Sequence, residues 1–143
     1  MKNSESAALR RTLDQLSDVL DSDVRLVLNP RADDEGHLLH EEELIAAAER
    51  GLRTLGEVAA ASEASVAFSA TANSSLADLR AAALSLEPLL RSAVECARLS
   101  PSYVEDFFIC LGPFATSIEN GLRNLASIIS RVESDLRGST EGL

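Results

Sequence analysis

The stretch SIENGLRNLASIISRVESDL, residues 117–136, contains the most regular apolar pattern in the chain. Its large apolar residues are separated alternately by four and three positions: Ile118, Leu122, Leu125, Ile129, Val132 and Leu136. This spacing places all of them along one seam of an α-helix, as in coiled coils. Such a seam needs apolar partners, so it predicts a helical bundle that closes either within one chain or across a homodimer.

Apolar stripes with the same helical spacing predict two helices in the first half of the chain. The first would be capped by Ser4 and would run to about residue 28, because Asn29-Pro30 cannot continue a helix. The second would begin near Glu41. Residues 60–73 consist mainly of alanine and serine and suit either a continued helix or a looser connection. We expect the helix, because alanine favours it and nothing breaks it before Asn73.

A third helix is expected in the middle of the chain. Ser75 and Asp78 have the spacing of a capping box, which predicts that this helix begins there. Its apolar stripe continues to about residue 99. Pro88 lies within the stripe and predicts a kink, because proline removes one backbone hydrogen bond.

The last third of the chain is predicted to hold one short and one long helix. The short helix would cover residues 101–111, with proline in its first turn, and would stop at Gly112-Pro113. Thr116 and Glu119 have the spacing of a capping box, so the long seam-bearing helix would begin there.

Length and composition agree with such a bundle. The chain has 143 residues, of which 45% are apolar and only 3% aromatic, so leucine, alanine and valine must fill most of the core. The predicted fold class is therefore all-α: a single-domain antiparallel helical bundle over residues 1–143, with four long helices and one short helix. The ends, 1–3 and 139–143, are expected to be frayed.

The net charge of −10 disfavours direct binding to nucleic acids or to anionic membranes, both of which are negatively charged. The N-terminus has no apolar signal core, and the longest uncharged run, 64–77, is too short to span a membrane. We therefore expect a cytoplasmic protein that does not contact membranes. One lysine against twelve arginines, with abundant alanine and leucine, is typical of a GC-rich bacterial or phage genome.

Cys96 and Cys110 are the only cysteines, and both have apolar neighbours in sequence. Two cysteines form a poor disulfide framework for a chain of this length. We expect both to be buried free thiols, because reduced cysteine packs like a small apolar residue.

The segment GHLLHEEEL, residues 36–44, contains both histidines of the chain, so His37 and His40 are candidate metal ligands. The order H-x-x-H-E differs from the H-E-x-x-H of zinc proteases, and an EF-hand register would place Arg31 where an anionic ligand is needed. The alternative is a helix start, with His40 as N-cap and residues 41–43 filling the acidic first turn. We favour the helix start and expect no cofactor.

Two groups of residues are candidates for binding a partner. Asp14, Asp18 and Asp21 are spaced along one face of the first helix, which is either a solvated face or a contact for a basic partner. The second group is an aromatic cluster within twelve residues: Tyr103, Phe107, Phe108 and Phe114. Phe107 and Phe108 must point to different sides of a helix, so one enters the core, and the cluster is either a lid on the core or a docking patch.

No G-x-S-x-G turn occurs, and neither cysteine lies near a histidine in sequence, so we expect no enzymatic activity. The leading hypothesis is a non-enzymatic acidic protein-binding module, an adaptor, chaperone or inhibitor that acts through helix faces. Its partner would be another protein with a basic or apolar surface. The chain could also form a homodimer through the 118–136 seam. The alternative is a phage- or plasmid-encoded inhibitor whose acidic face imitates nucleic acid. A metal-dependent enzyme or sensor at His37 and His40 is the third hypothesis.

Overall fold

The computed structural model describes residues 2–63, 68–99 and 101–141. Within these residues the chain forms four α-helices: α1 (Lys2–Leu28), α2 (Glu41–Glu63), α3 (Ala70–Arg98) and α4 (Val104–Glu141). Each helix packs against the next along the chain, and α4 returns to pack on α1. The predicted all-α antiparallel bundle is confirmed, with four helices in the described ranges instead of five. Residues 1, 142 and 143 of the expected frayed ends lie outside those ranges.

The seam of α4 forms part of the core of the bundle. All six seam residues are buried, from Ile118 to Leu136. Their partners are the apolar stripes of α1 and α3, the two helices that α4 contacts. Because the seam is buried within one chain, it leaves no exposed apolar stripe there for a second copy.

The predicted break at Gly112-Pro113 is wrong, because α4 passes through both residues. A proline inside a helix removes one backbone hydrogen bond and costs about 3 kcal/mol. Phe107, Leu111 and Ile118 lie on both sides of this point and are all fully buried. Each such side chain contributes about 1.5–3 kcal/mol when removed from water, so the shared buried face outweighs the local penalty.

The predicted capping box at Ser75 and Asp78 is also wrong. The N-cap of α3 is Ser69, whose side-chain oxygen accepts a hydrogen bond from the backbone N–H of Ala72 at 3.2 Å. Ser75 is buried inside the helix, where its hydroxyl donates to the carboxylate of Asp135 on α4. Ser75 therefore links α3 to α4 through a hydrogen bond and does not begin a helix.

The remaining boundaries agree in part with the predictions. α1 ends at Leu28, as Asn29-Pro30 indicates, but it begins at Lys2, so Ser4 lies inside the helix and is not its cap. The expected continuation of α2 is wrong at Phe68 and Ser69, which are not helical, and residues 64–67 lie outside the described residues. In the described ranges, none of the helices combines the length and apolar character needed to cross a bilayer.

Candidate functional site

Two interhelical connections, 29–40 between α1 and α2 and 99–103 between α3 and α4, lie at the same end of the bundle. We call this the connection end. The backbone N–H of Leu38 donates to the carbonyl of Ser102 at 2.9 Å, and the N–H of Val104 donates to the carbonyl of Gly36 at 2.8 Å. The two connections therefore hold each other in place through their backbones.

Asp33 orders the first connection. Its Oδ1 atom accepts hydrogen bonds from the backbone N–H groups of Glu35 at 2.9 Å and His37 at 2.8 Å. Its Oδ2 atom lies 3.2 Å from Nδ1 of His37. These contacts, first among them the bond from the His37 backbone, hold the pKa of Asp33 below its ordinary value. The His37 ring in turn packs on Tyr103, with centroids 4.7 Å apart, so it bridges the two connections.

The segment 36–44 contains a helix start, as predicted. α2 begins at Glu41 with three glutamates in its first turn, where they face the positive end of the helix dipole. The carbonyl of His40 accepts the N–H of Leu44 at 3.1 Å. His40 has a φ of 55°, however, and not the extended conformation usual at an N-cap. In the part of the chain that the structure describes, no group of three or more His, Cys, Asp or Glu side chains is placed to hold a metal ion.

The two cysteines form a disulfide, so the prediction of free thiols is wrong. Their apolar neighbours in sequence indicated burial but could not show that antiparallel packing of α3 and α4 brings Cys96 opposite Cys110, with 5.8 Å between their Cα atoms. Cys96 is buried and Cys110 is half-buried. The bond closes a loop over residues 96–110, and a loop of this size contributes about 3 kcal/mol by restricting the unfolded chain.

Four large side chains in this loop are exposed to solvent. Their exposed fractions are 74% for Leu99, 47% for Tyr103, 44% for Phe108 and 69% for Ile109. We call these four residues the apolar corner. Phe107 between them is fully buried, which confirms that Phe107 and Phe108 point to different sides of the helix. An exposed apolar cluster of this kind is typical of a binding surface.

Sequence reasoning identified Tyr103 and Phe108 but missed Leu99 and Ile109. Ile109 is two positions from both Phe107 and Leu111, which are buried. On a continuous helix that spacing points Ile109 away from the core, so a correct view of α4 would have identified it. Of the other predicted aromatic residues, Phe107 belongs to the core and Phe114 is half-buried against it.

The connection end, where the apolar corner lies, is rich in acidic residues. The stretches 29–43 and 99–110, which meet at the connection end, contain eight Asp and Glu residues against one arginine. Glu105 and Asp106 lie in the first turn of α4 beside Phe108, and Asp33 reaches Tyr103 through His37. Arg98, the residue before Leu99, is paired with Glu49 at 3.1 Å. We call the eight acidic residues of these two stretches the acidic rim.

The predicted aspartate row lies on a different part of the molecule. Asp14, Asp18 and Asp21 are exposed on α1 and are not part of the 96–110 loop. The Asp14 side chain is hydrogen-bonded to Glu133 on α4, and Asp21 lies 3.4 Å from Arg25. Two members of the row therefore already have partners within the chain.

The contact between Asp14 and Glu133 changes the acidity of Glu133. Burial raises the pKa of this carboxyl, and the hydrogen bond and negative charge of Asp14 raise it further, to about 7. Arg10 and Arg137 oppose the change but do not cancel it. Glu133 is therefore a weaker acid in the folded chain than in the unfolded chain.

The connection end combines exposed apolar side chains, an acidic rim and a backbone fixed by hydrogen bonds and a disulfide. Such a surface is suited to holding another macromolecule, because large apolar groups on a rigid support bind with little loss of conformational freedom. Comparison of the chain with protein-family models, with curated proteins and with solved structures finds no match.

Proposed function

We propose that the chain is a non-enzymatic protein-binding module, an adaptor, chaperone or inhibitor, and that the apolar corner is its docking surface. The observation that carries the proposal is the exposure of Leu99, Tyr103, Phe108 and Ile109 on one short segment. Covering these side chains removes apolar area from water, which is the main favourable term in protein association. Aromatic residues such as Tyr103 are also frequent energetic centres of interfaces.

The proposed occupant is a segment of another protein that carries apolar residues flanked by Lys or Arg. The argument is charge complementarity, because the rim has eight acidic residues and one arginine in the two stretches that form it. A basic segment would be attracted to this rim, whereas nucleic acid and anionic membranes would be repelled. The apolar anchors would supply affinity, and the basic residues would select the partner and speed its approach.

The expected cytoplasmic location has less support than an oxidising compartment. Structural disulfides persist in oxidising surroundings and are rare in the cytosol, and Cys96 and Cys110 are bonded to each other. Alkylating thiols in intact producing cells, followed by mass measurement, tests this point. We expect both cysteines to escape alkylation until the extract is reduced.

A fluorescent synthetic amphipathic helix of leucine and lysine is a suitable probe of the surface. Replacing Phe108 and Ile109 with serine should weaken its binding about tenfold or more, because both anchors are lost. The control replaces Val19 and Leu84 with serine. These residues are 46% and 44% exposed on α1 and α3, against 44% for Phe108 and 69% for Ile109. This control should bind the probe like the native chain.

Two further measurements test the choice of occupant. A helix of leucine and glutamate should bind much more weakly than the lysine peptide, because the acidic rim repels it. Light scattering should show one chain per particle. Equal binding of the two peptides would remove the argument from charge, and a dimer that the serine substitutions dissociate would identify a second copy as the occupant.

The acidic-face inhibitor has less support, because Asp14 is engaged by Glu133 and Asp21 by Arg25. A variant with Asn at Asp14, Asp18 and Asp21 separates the two functions. We expect it to retain the affinity of the native chain for the lysine peptide, apart from a small loss through reduced net charge.

A further inference from the structure

The disulfide encloses the whole docking surface. All four residues of the apolar corner lie between Cys96 and Cys110, in the loop that the bond closes. Leu99 follows the end of α3, Tyr103 precedes α4, and Phe108 and Ile109 lie in the first turns of α4. One covalent bond therefore closes the loop that carries all four apolar anchors of the proposed interface.

A weak point in α4 lies directly beyond this bond. Pro113 has no backbone N–H, so the carbonyl of Ile109, four residues earlier, lacks its helical partner. Gly112 precedes it, is exposed, and adds backbone freedom within the helix. Residues 104–111 are thus about two turns of helix joined to the remainder of α4 by a Gly-Pro step that is predisposed to bend.

Three other interactions hold the 104–111 segment against the bundle. They are the burial of Phe107 and Leu111 and the hydrogen bond from the Val104 N–H to Gly36 at 2.8 Å. The disulfide adds the covalent restraint, with Cys110 placed one residue before Leu111 and two residues before Gly112. Without the bond, these three interactions alone would oppose bending at the Gly112-Pro113 step.

We infer that the Cys96–Cys110 bond is a redox switch for the docking surface, which binds its partner when oxidised and releases it when a dithiol reduces the bond. The inference rests on the proposed function, because it regulates that same surface. Reduction frees residues 104–111 to bend at Gly112-Pro113, which separates Phe108 and Ile109 from Leu99 and Tyr103.

The chemistry is thiol–disulfide exchange with a dithiol reductant, either a small molecule or a protein with two neighbouring thiols. A thiolate of the reductant attacks Sγ of Cys110, the less buried of the two residues, and Cys96 leaves as a thiolate. The second thiolate of the reductant then attacks the mixed disulfide and releases Cys110. The two electrons pass to the protein sulfurs, which take up two protons, and the reductant becomes a disulfide.

The test compares oxidised and reduced full-length chain, using the leucine–lysine peptide as probe and dithiothreitol as reductant. We expect reduction to weaken binding by about tenfold or more. We also expect hydrogen exchange to accelerate at amides 99–111, with the centres of α1, α2 and α3 unchanged. A Cys96→Ser, Cys110→Ser variant should bind like the reduced chain and should not respond to dithiothreitol.

Pro113→Ala provides the decisive variant. Alanine restores the hydrogen bond to the Ile109 carbonyl and stiffens the step, so the reduced variant should retain most of the affinity of the oxidised native chain. If the reduced Pro113→Ala variant loses binding as the native chain does, bending at Gly112-Pro113 is not the cause of release. The inference is then wrong.

The remaining outcomes separate this inference from the proposed function. Equal binding by the oxidised and reduced native chain contradicts the switch and leaves the docking surface in place. Accelerated exchange throughout all four helices contradicts it as well, because reduction would then unfold the bundle. An oxidised chain that does not bind the peptide contradicts the proposed function, and the switch falls with it.

Discussion

Asp33 is exposed, yet its carboxylate organises the connection between α1 and α2, since one oxygen accepts two backbone N–H groups and the other contacts His37. Short acidic side chains are common in such positions because they can satisfy N–H groups two or more residues ahead. The chain Asp33–His37–Tyr103 then transmits this order to the apolar corner. Asp33 thereby helps to position Tyr103 through the ring of His37.

Asp33→Ala should lower the midpoint of thermal unfolding at neutral pH, because two backbone N–H groups lose their acceptor. Folding lowers the pKa of Asp33 below 3.8, its value in the unfolded chain. The stability that its ionised carboxylate contributes is therefore present above pH 3.8 and is lost as pH falls through the pKa of the folded chain. The difference between variant and native chain should therefore shrink in strongly acidic solution. Thermal unfolding followed by circular dichroism measures both effects.

Asp34→Ala is the matched control, because this neighbour is also exposed and acidic. It should leave the unfolding midpoint close to the native value at every pH. Equal losses from the two substitutions would show that the effect comes from net charge and not from the Asp33 contacts.

At the scale of the helices, the sequence predicted more of the fold than of the site. The regular spacing from Ile118 to Leu136 was sufficient for the bundle, since periodic burial is a local property. Two of the errors, at Gly112-Pro113 and at Ser75, arise where tertiary burial overrides a local signal. The disulfide was missed for the same reason, because contact between Cys96 and Cys110 depends on how two helices pack.

Helical glycines should respond to substitution according to their surroundings. Gly56 lies on the exposed side of α2 with nothing within 4 Å of an added Cβ. Gly56→Ala should therefore raise the free energy of unfolding by about 0.5–1 kcal/mol, the difference in helix propensity. Chemical denaturation with urea provides the measurement.

Gly121 on α4 provides the contrast. A Cβ there would lie 2.7 Å from Cδ1 of Leu86, which is buried and has little room to move. Gly121→Ala should lower the free energy of unfolding by about 1 kcal/mol, because overpacking exceeds the gain in propensity. A stabilised Gly121→Ala variant would mean that α3 and α4 are packed less closely at Leu86 than the structure indicates.

At the scale of the whole molecule, the return of α4 to α1 closes the bundle, and this contact includes charged groups. Ser6 donates to the carbonyl of Leu136 at 3.2 Å near one end of the contact, and Arg25 lies 3.8 Å from Glu119 nearer the other. Between them, Asp14 and Glu133 place two carboxyl groups together. The closure of the bundle should therefore depend on pH.

The sign follows from the pKa of Glu133, which rises from 4.5 to about 7 on folding. The protonated form of Glu133 stabilises the folded chain. This contribution is complete below the pKa of the unfolded chain and is lost as pH rises through the pKa of the folded chain. Glu133→Gln keeps a hydrogen-bond donor for Asp14 without the charge. At about pH 8 it should raise the free energy of unfolding by about 1–2 kcal/mol, once solvent screening is considered, and near pH 4 it should have little effect.

Urea denaturation at both pH values gives the comparison, with Glu57→Gln as control because Glu57 is exposed on α2. The control should change stability equally little at the two pH values. An effect of Glu133→Gln that does not grow between acidic and alkaline solution would contradict the raised pKa of Glu133.

The arrangement of the four helices also determines where the apolar corner points when the chain is tethered through the start of α1 or the end of α4. Because α1 begins and α4 finishes at the end opposite the connection end, a tether joined near Lys2 or near Glu141 directs the apolar corner outward. Because α1 has 27 residues and α4 has 38, at about 1.5 Å per residue the bundle would hold that corner about 4–6 nm from the attachment point. Immobilisation through either of these helix ends should therefore leave the connection end facing away from the support.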